Sequence, residues 1–413
     1  MTAATSPALD IARAMFGPEA ITDPYPLYAR AQELARLQGT GDLLRVPEWN
    51  TALAFSYDTV SALLRSPAAL NTVNFFQEEG ESTYPQTMLV MKPMMLLHNG
   101  ASHARLRSLA QAAFTPRVVA GSRELVQARL DRLLHSAASE PEFDAVADLA
   151  VPLPVGVITE MLGLRGEDEA KFREWSGAVA ELIGGSNVTP ELMQRVEGQA
   201  REMREYFRGL ADELRAHPQP GLLSALAAVE DGGERLSSDE LLANTVGLLV
   251  AGHETTSNLI SGGLLELSKQ PAAWAALVER PELAGNITEE LLRLTSPVQN
   301  AVPRQLSQDV QVGGQTLAAG SSVSLILAAA NRDPAVFPDP HRLDPQRPNS
   351  ARHLAFASGP HYCLGASLAR LEGEVVFRTL AERHPDLKVL PQTVNFRPNF
   401  VLRGPLALRA SLN

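Results

Sequence analysis

The chain has 413 residues, 45% hydrophobic and 20% charged, with a formal net charge of −11 and one cysteine. That balance excludes a disordered polymer, and a lone cysteine excludes any internal disulfide, so nothing ties the fold to an oxidising compartment and a cytoplasmic location is expected. The acidic charge argues against a nucleic-acid partner, and no run approaches the ~18 apolar residues expected of a membrane span.

The first residues lack the basic and apolar regions of a signal peptide, and no low-complexity linker or fixed-period repeat divides the chain, so 1–413 reads as a single domain. Helical spacing of apolar residues runs through 27–37, 57–65, 103–114, 122–138, 167–182 and 189–214. Strand-like stretches are short: 43–46, 310–312, 322–327 and 399–402. The fold class is therefore mainly α with a smaller β region. Two irregular stretches, 66–93 and 331–350, are longer than structural connectors usually are. The first, with the residues just after it, carries Phe75, Phe76, Met88, Met91, Met94 and Met95, a soft apolar set that suits a pocket wall or ordinary core.

Ser237-Ser-Asp-Glu240 reads as a capping box, with Leu236 and Leu241 as its hydrophobic staple, and the helical pattern then continues to about Lys269 before Pro271. Such a helix spans ~50 Å at the usual rise per residue. Its middle, Ala251-Gly252-His253-Glu254-Thr255-Thr256, breaks helical propensity with a glycine and two threonines. Small residues there admit a flat ligand while an acid and an alcohol stand side by side. A kink with a threonine bonded back to a carbonyl is the structural alternative, but local rules broken inside a consistent helix point to function. Further on, Asn286-Ile-Thr-Glu289 reads as a second cap, placing Glu290 and Arg293 on one helical face as an ion pair.

Cys363 lies in Phe356-Ala-Ser-Gly359-Pro-His361-Tyr-Cys363-Leu-Gly365, ahead of a helical pattern running to Phe377. Flanking glycines let the backbone close around the sulfur and aim amide N–H groups at it, and the helix dipole adds to thiolate stabilisation. The thiolate can then ligate a metal; the alternative is a buried structural thiol.

Phe356, Gly359, His361, Cys363 and Gly365 stand at the spacing of the haem-binding loop of the cytochrome P-450 haem-thiolate monooxygenases, which this chain resembles from the His103 helix to at least Phe377. One position departs: the glycine usual after the phenylalanine is Ala357 here, which narrows the allowed backbone angles. The resemblance implies the P-450 fold, with the long central helix over a haem b (iron protoporphyrin IX) whose iron is ligated by Cys363. It implies insertion of one atom of dioxygen into a hydrophobic small organic substrate. Ala251 would then lie against the cofactor. Thr255 would hold dioxygen and a water by hydrogen bonds, and Glu254 would link that water to bulk protons. Glu290 and Arg293 become a buried structural pair joined by Arg347. His103, Arg107, Arg304 and His361 match the positions that clamp the two propionates, and Phe356 and Gly365 complete the cofactor-binding set. The family's usual Asp-Pro-Pro before the histidine helix is replaced by Asn99-Gly100-Ala101, and the remaining histidines, His253 among them, read as ordinary solvated groups without a role in the site.

The same resemblance implies electrons from NAD(P)H through a separate ferredoxin or flavodoxin and its reductase, since no second cofactor motif is present. Arg105, Arg352 and Arg370 are candidates for that docking, and a monomer without membrane attachment is expected. The pocket wall is expected from 75–95, Leu248, Ala251, 296–302 and 396–401. Two other classes stay open, a haem-thiolate peroxygenase and a non-catalytic haem-binding sensor; retention of Thr255 and Glu254 favours the monooxygenase. A zinc or cysteine-nucleophile hydrolase lacks a second ligand cluster or a matched base.

Overall fold

A computed structural model describes residues 6–72, 83–164, 168–184, 188–230 and 234–412. Helices dominate, and the longest, Ser238–Lys269, starts as the sequence indicates: Ser237 accepts from the Glu240 N–H, and the Glu240 side chain accepts from the Ser237 N–H. Leu236 and Leu241 are both buried beside this cap. The helix is buried along most of its length against Pro152–Leu162, Ala284–Thr295 and Ala366–Arg383. Leu259, Leu264, Leu291, Val376 and Phe377 form the apolar seam between these helices, each at 1% exposure or less.

The sheets stand to one side. Five strands lie in the order Leu43–Val46, Thr51–Ala54, Ser322–Leu325, Arg304–Leu306, Ala69–Asn71. All pairs are antiparallel except Thr51–Ala54 with Ser322–Leu325, so residues distant in sequence meet at this sheet. Arg304 and Asn71 are directly opposite each other on adjacent strands, which sets both beside the same cavity.

Several expectations need correction. The helical pattern over 189–214 is two helices, Pro190–Phe207 and Leu210–Ala216, broken at Gly209, whose φ of +73° only glycine adopts without strain. The strand pattern at 322–327 stops at Leu325, and Leu327–Ala330 forms a helical turn. The 399–402 tail makes an isolated bridge, Val298 with Leu402, instead of a strand. Asn286 is not a cap: the helix begins at Ala284, and the Asn286 amide donates to the Pro345 carbonyl at 2.6 Å. One described stretch, Ala145–Leu162, is long and apolar enough to cross a membrane, contrary to the sequence reading; 72% of it is buried, as expected of a core helix packed under the central one. Phe75 and Phe76 lie outside the described residues.

Candidate active site

The segment around Cys363 folds as a tight loop. The Cys363 N–H donates to the Phe356 carbonyl at 3.0 Å, and the helix Ala366–Arg383 begins three residues after the sulfur. Gly359 has a φ of +74°, and a Cβ there would meet the Leu64 carbonyl oxygen at 2.8 Å, so the position admits only glycine. Ala357 is also left-handed, with φ +57°, which explains why glycine is usual at that position and marks stored strain in this chain. Behind the loop Arg370 lies over the Phe356 ring at 4.5 Å and donates to Glu289 and the Tyr362 hydroxyl.

The thiol is not the stabilised anion that the loop geometry alone suggests. Burial pushes the Cys363 thiol up, outweighing the Gly365 amide and the charges of Arg107 and Arg370 that favour the thiolate. A sulfur in this setting becomes an anion readily only when a cation binds it directly.

Cys363 opens into a cavity of about 350 Å³, walled on one side by the thiol loop and on the other by the central helix. Ala251 and Thr255 line it from the helix, Phe356, His361 and Gly365 from the loop, and His103, Arg107 and Arg304 from the edge. Nine of the ten predicted site residues thus meet at one space. The tenth, Glu254, is not on its wall. The Thr255 hydroxyl donates to the Ala251 carbonyl at 2.8 Å, the back-bond of the structural alternative, made within an unbroken helix and at the cavity surface.

The cationic edge is unbalanced. Arg304 is buried at 2% exposure, its guanidinium donates, among the described residues, only to the Val302 carbonyl, and burial holds it down at about 10. His361 is pushed down to about 3, first by burial and then by His103, Arg304 and Arg107. The two imidazoles stack with centroids 4.0 Å apart. Among the described residues no carboxylate reaches Arg107 or Arg304. Buried cations without anions are costly, so this edge is built for a ligand bearing negative groups. Asn71, which the sequence did not single out, organises it: its side chain lies 3.1 Å from His361 Nδ1, and its backbone pairs with both side-chain atoms of Asn99. Asn99 thereby ties down the turn where Asn-Gly-Ala departs from the family pattern.

Glu254 is buried behind the helix. It accepts from Arg397 at 3.2 Å, with His253 Nε2 at 3.4 Å. Burial raises its pKa, but the His253 contact and Arg397 more than offset that and hold it below the usual carboxylate range. No local signal reveals Arg397, which lies 143 residues away.

The remaining wall is apolar and only partly as expected. Met94 and Met95 line the cavity, whereas Met88 and Met91 are core. Leu248, Pro297, Val298 and Val401 contribute; Phe396 does not and lies under Arg403. Of the docking candidates, Arg105 is engaged by Glu234 and Glu240 at the start of the central helix, and Arg370 by Glu289. Glu290 and Arg293 are wholly buried, and Arg347 joins them at 3.0 Å.

The Cytochrome P450 family model matches residues 187–280 and 279–395. Cytochrome P450 monooxygenase PikC of Streptomyces venezuelae is 38% identical over 98% of this chain and 95% of its own length. The biotin biosynthesis cytochrome P450 of Bacillus subtilis is 33% identical over 96% of this chain and 98% of its own. Among solved structures, P450BioI in complex with an acyl carrier protein ligated to hexadec-9Z-enoic acid matches with a TM-score of 0.87 at 30% identity, covering 96% of this chain and all of that one. The Bacillus subtilis bacillaene polyketide synthase cytochrome P450 PksS matches with a TM-score of 0.85 at 31% identity, covering 97% and 99%. Whole-length similarity in sequence and in structure, meeting a cysteine loop that faces an acid-alcohol helix, has one reading: the chain belongs to the cytochrome P450 family and is a haem-thiolate monooxygenase.

Proposed function

We propose that the cavity holds haem b, with Cys363 as the protein ligand that would bind its iron and His103, Arg107, Arg304 and His361 as the groups that would hold its two propionates. The observation that carries this reading is Arg304, a buried guanidinium without an anionic partner among the described residues, at the rim of the cavity into which the only cysteine opens. Two propionates supply the charge this edge lacks, and the iron supplies the cation that makes the Cys363 thiolate favourable. Phe356 and Gly365 then flank the ring on the thiol side and Ala251 on the helix side. When bound, such a haem would supply dioxygen activation at its iron, and the Cys363 thiolate would favour that chemistry.

The protein's own groups do the rest. The apolar wall around Met94, Met95, Leu248 and Val401 selects a hydrophobic small organic substrate and expels water as it enters. The Thr255 hydroxyl holds a water or dioxygen by exchanging its bond to the Ala251 carbonyl. Glu254 and Arg397 connect that point to solvent, since the Arg397 side chain is 36% exposed. Within the reading, 1–413 is one catalytic domain of a cytoplasmic monomer. Electrons come from NAD(P)H through a ferredoxin or flavodoxin and its reductase, which dock on the thiol side. Arg352 is the docking candidate that stays exposed.

The test is the absorption spectrum of the reduced, carbon monoxide-treated protein, wild type against Cys363→Ser. A strongly red-shifted Soret band lost in the variant is expected; a protein that takes up no haem overturns the assignment. Substrate oxidation with surrogate redox partners that requires Thr255, with no comparable turnover on peroxide alone, excludes the sensor and the peroxygenase.

A further inference from the structure

His253 reads from sequence as an ordinary solvated histidine, yet in the structure it is buried and joins the acid of the central helix to a neighbouring helix. Its ring is buried at 3% exposure. Nδ1 lies 3.2 Å from the Ser176 hydroxyl and 3.3 Å from the Leu249 carbonyl, and Nε2 lies 3.4 Å from Glu254 Oε1. Ser176 belongs to the helix Glu169–Gly184 and is itself buried.

The donors can be assigned by elimination. The Ser176 hydroxyl donates to the Phe172 carbonyl at 2.7 Å, so toward His253 it is an acceptor. The Leu249 carbonyl accepts only. Nδ1 therefore carries a hydrogen. On the other side Nε2 faces a carboxylate that, ionised, also only accepts. The contact is attractive only if one proton lies between Nε2 and Oε1, either on the ring with Glu254 ionised or on Glu254 with the ring neutral. Arg397, donating to the same Oε1, favours the ionised acid. The groups facing His253 are thus Glu254 on its own helix and Ser176 on the neighbouring one, with Arg397 reaching the pair from the C-terminal tail.

We propose that His253 is a positioning residue for Glu254 and that the pair stores the proton consumed beside Thr255, with Ser176 holding the ring in the required orientation. Discharge breaks one N–H or O–H bond of the pair and forms one O–H bond on the water at Thr255. It leaves neutral His253 and ionised Glu254 beside Arg397. Recharging takes one proton from solvent along the Arg397 side. This rests on the monooxygenase reading and adds to it a store, since a lone Glu254 held ionised by Arg397 has no proton ready to give.

The test uses the haem-loaded enzyme and four variants: His253→Gln, His253→Phe, Ser176→Ala and Glu254→Gln. Exchangeable imidazole N–H resonances of the reduced carbon monoxide complex are recorded; those absent from both His253 variants belong to this ring. Glu254→Gln is expected to displace the Nε2–H resonance, because it replaces the carboxylate at 3.4 Å by a neutral amide. An unmoved resonance overturns the shared proton. In turnover, His253→Gln is expected to lose coupling of NAD(P)H to product by on the order of tenfold, below the 10²–10⁴ range for loss of a proton donor itself. The loss should grow with pH, and Ser176→Ala should follow in the same direction, less far. Glutamine keeps hydrogen bonding without proton storage, so a His253→Gln variant that regains the full coupling lost in His253→Phe shows that hydrogen bonding alone suffices and overturns the proposal. A retained Cys363-dependent carbon monoxide spectrum in every variant separates that failure from failure of the haem-thiolate reading.

Discussion

Arg293 donates from Nε and Nη2 to the two carboxylate oxygens of Glu290, at 2.7 and 3.0 Å, and neither side chain is exposed at all. Glu290 Oε2 also accepts from Arg347 Nε and from the Asp344 N–H, both at 3.0 Å. Arg293 Nη1 reaches the carbonyls of Asn331 and Pro340. One carboxylate therefore bridges two guanidiniums and fixes the 331–350 loop, the long irregular stretch that leads into the thiol loop. Glu290→Ala leaves both arginines buried and uncompensated, a loss of ~3–5 kcal/mol against a typical total of 5–15. The expected outcome is little soluble protein and no carbon monoxide-binding haem. A variant that melts within a degree or two of wild type refutes this.

Ala357 at φ +57° carries strain that glycine does not. The left-handed region costs a residue with a Cβ ~1–2 kcal/mol, of which glycine's greater unfolded-state freedom takes back ~0.4–1. Ala357→Gly is therefore expected to raise stability by up to about 1.6 kcal/mol with an unchanged Soret spectrum. Chemical denaturation followed at the Soret band measures it, and a destabilised variant contradicts the strain.

Arg304 stays charged at neutral pH despite being held down at about 10 by burial. In the proposed complex it compensates a propionate, so Arg304→Leu should speed haem transfer to an acceptor apoprotein by on the order of tenfold, the equivalent of ~1.4 kcal/mol. The haem-free variant should be no less stable than the haem-free wild type, because a buried unpaired cation is gone. Equal transfer rates argue against the propionate assignment.

How much of this was legible in the sequence depends on range. The capping box at Ser237 and the thiol loop are encoded within a few residues of each other, and the structure has them where the pattern puts them. Glu290 with Arg347 spans 57 positions and came from family likeness, not from spacing. Arg397 on Glu254, Ser176 on His253 and Asn71 on His361 are created only when separate elements fold together, and each partner looks like an ordinary polar residue on its own. The break at Gly209 was missed because apolar periodicity continues on both sides of it, and the 399–402 tail looks like a strand because its composition fits one while no partner strand is at hand.

Glu372 gives the pH dependence. It lies on the helix after the thiol loop, is 1% exposed, and lines the cavity, and its Oε2 has no hydrogen-bond partner among the described residues. Burial alone pushes its carboxyl from 4.5 up to about 8, so it is neutral at pH 7. A raised folded-state value in an acid means that the folded chain binds the proton more tightly than the unfolded chain. Below pH 4.5 both states are protonated and no penalty exists. From there to about 8 the unfolded state ionises while the folded state does not, and stability falls by up to ~1.4 kcal/mol per pH unit before levelling off. Glu372→Gln removes the ionisation and keeps the shape; its buried amide costs the same at every pH. The difference in stability between variant and wild type should therefore shift in favour of the variant by on the order of 2 kcal/mol between pH 6 and 8. Denaturant unfolding at pH 5, 6.5 and 8 checks it. Parallel pH profiles for the two proteins would mean that Glu372 ionises inside the fold, with a partner at the cavity wall that compensates its charge.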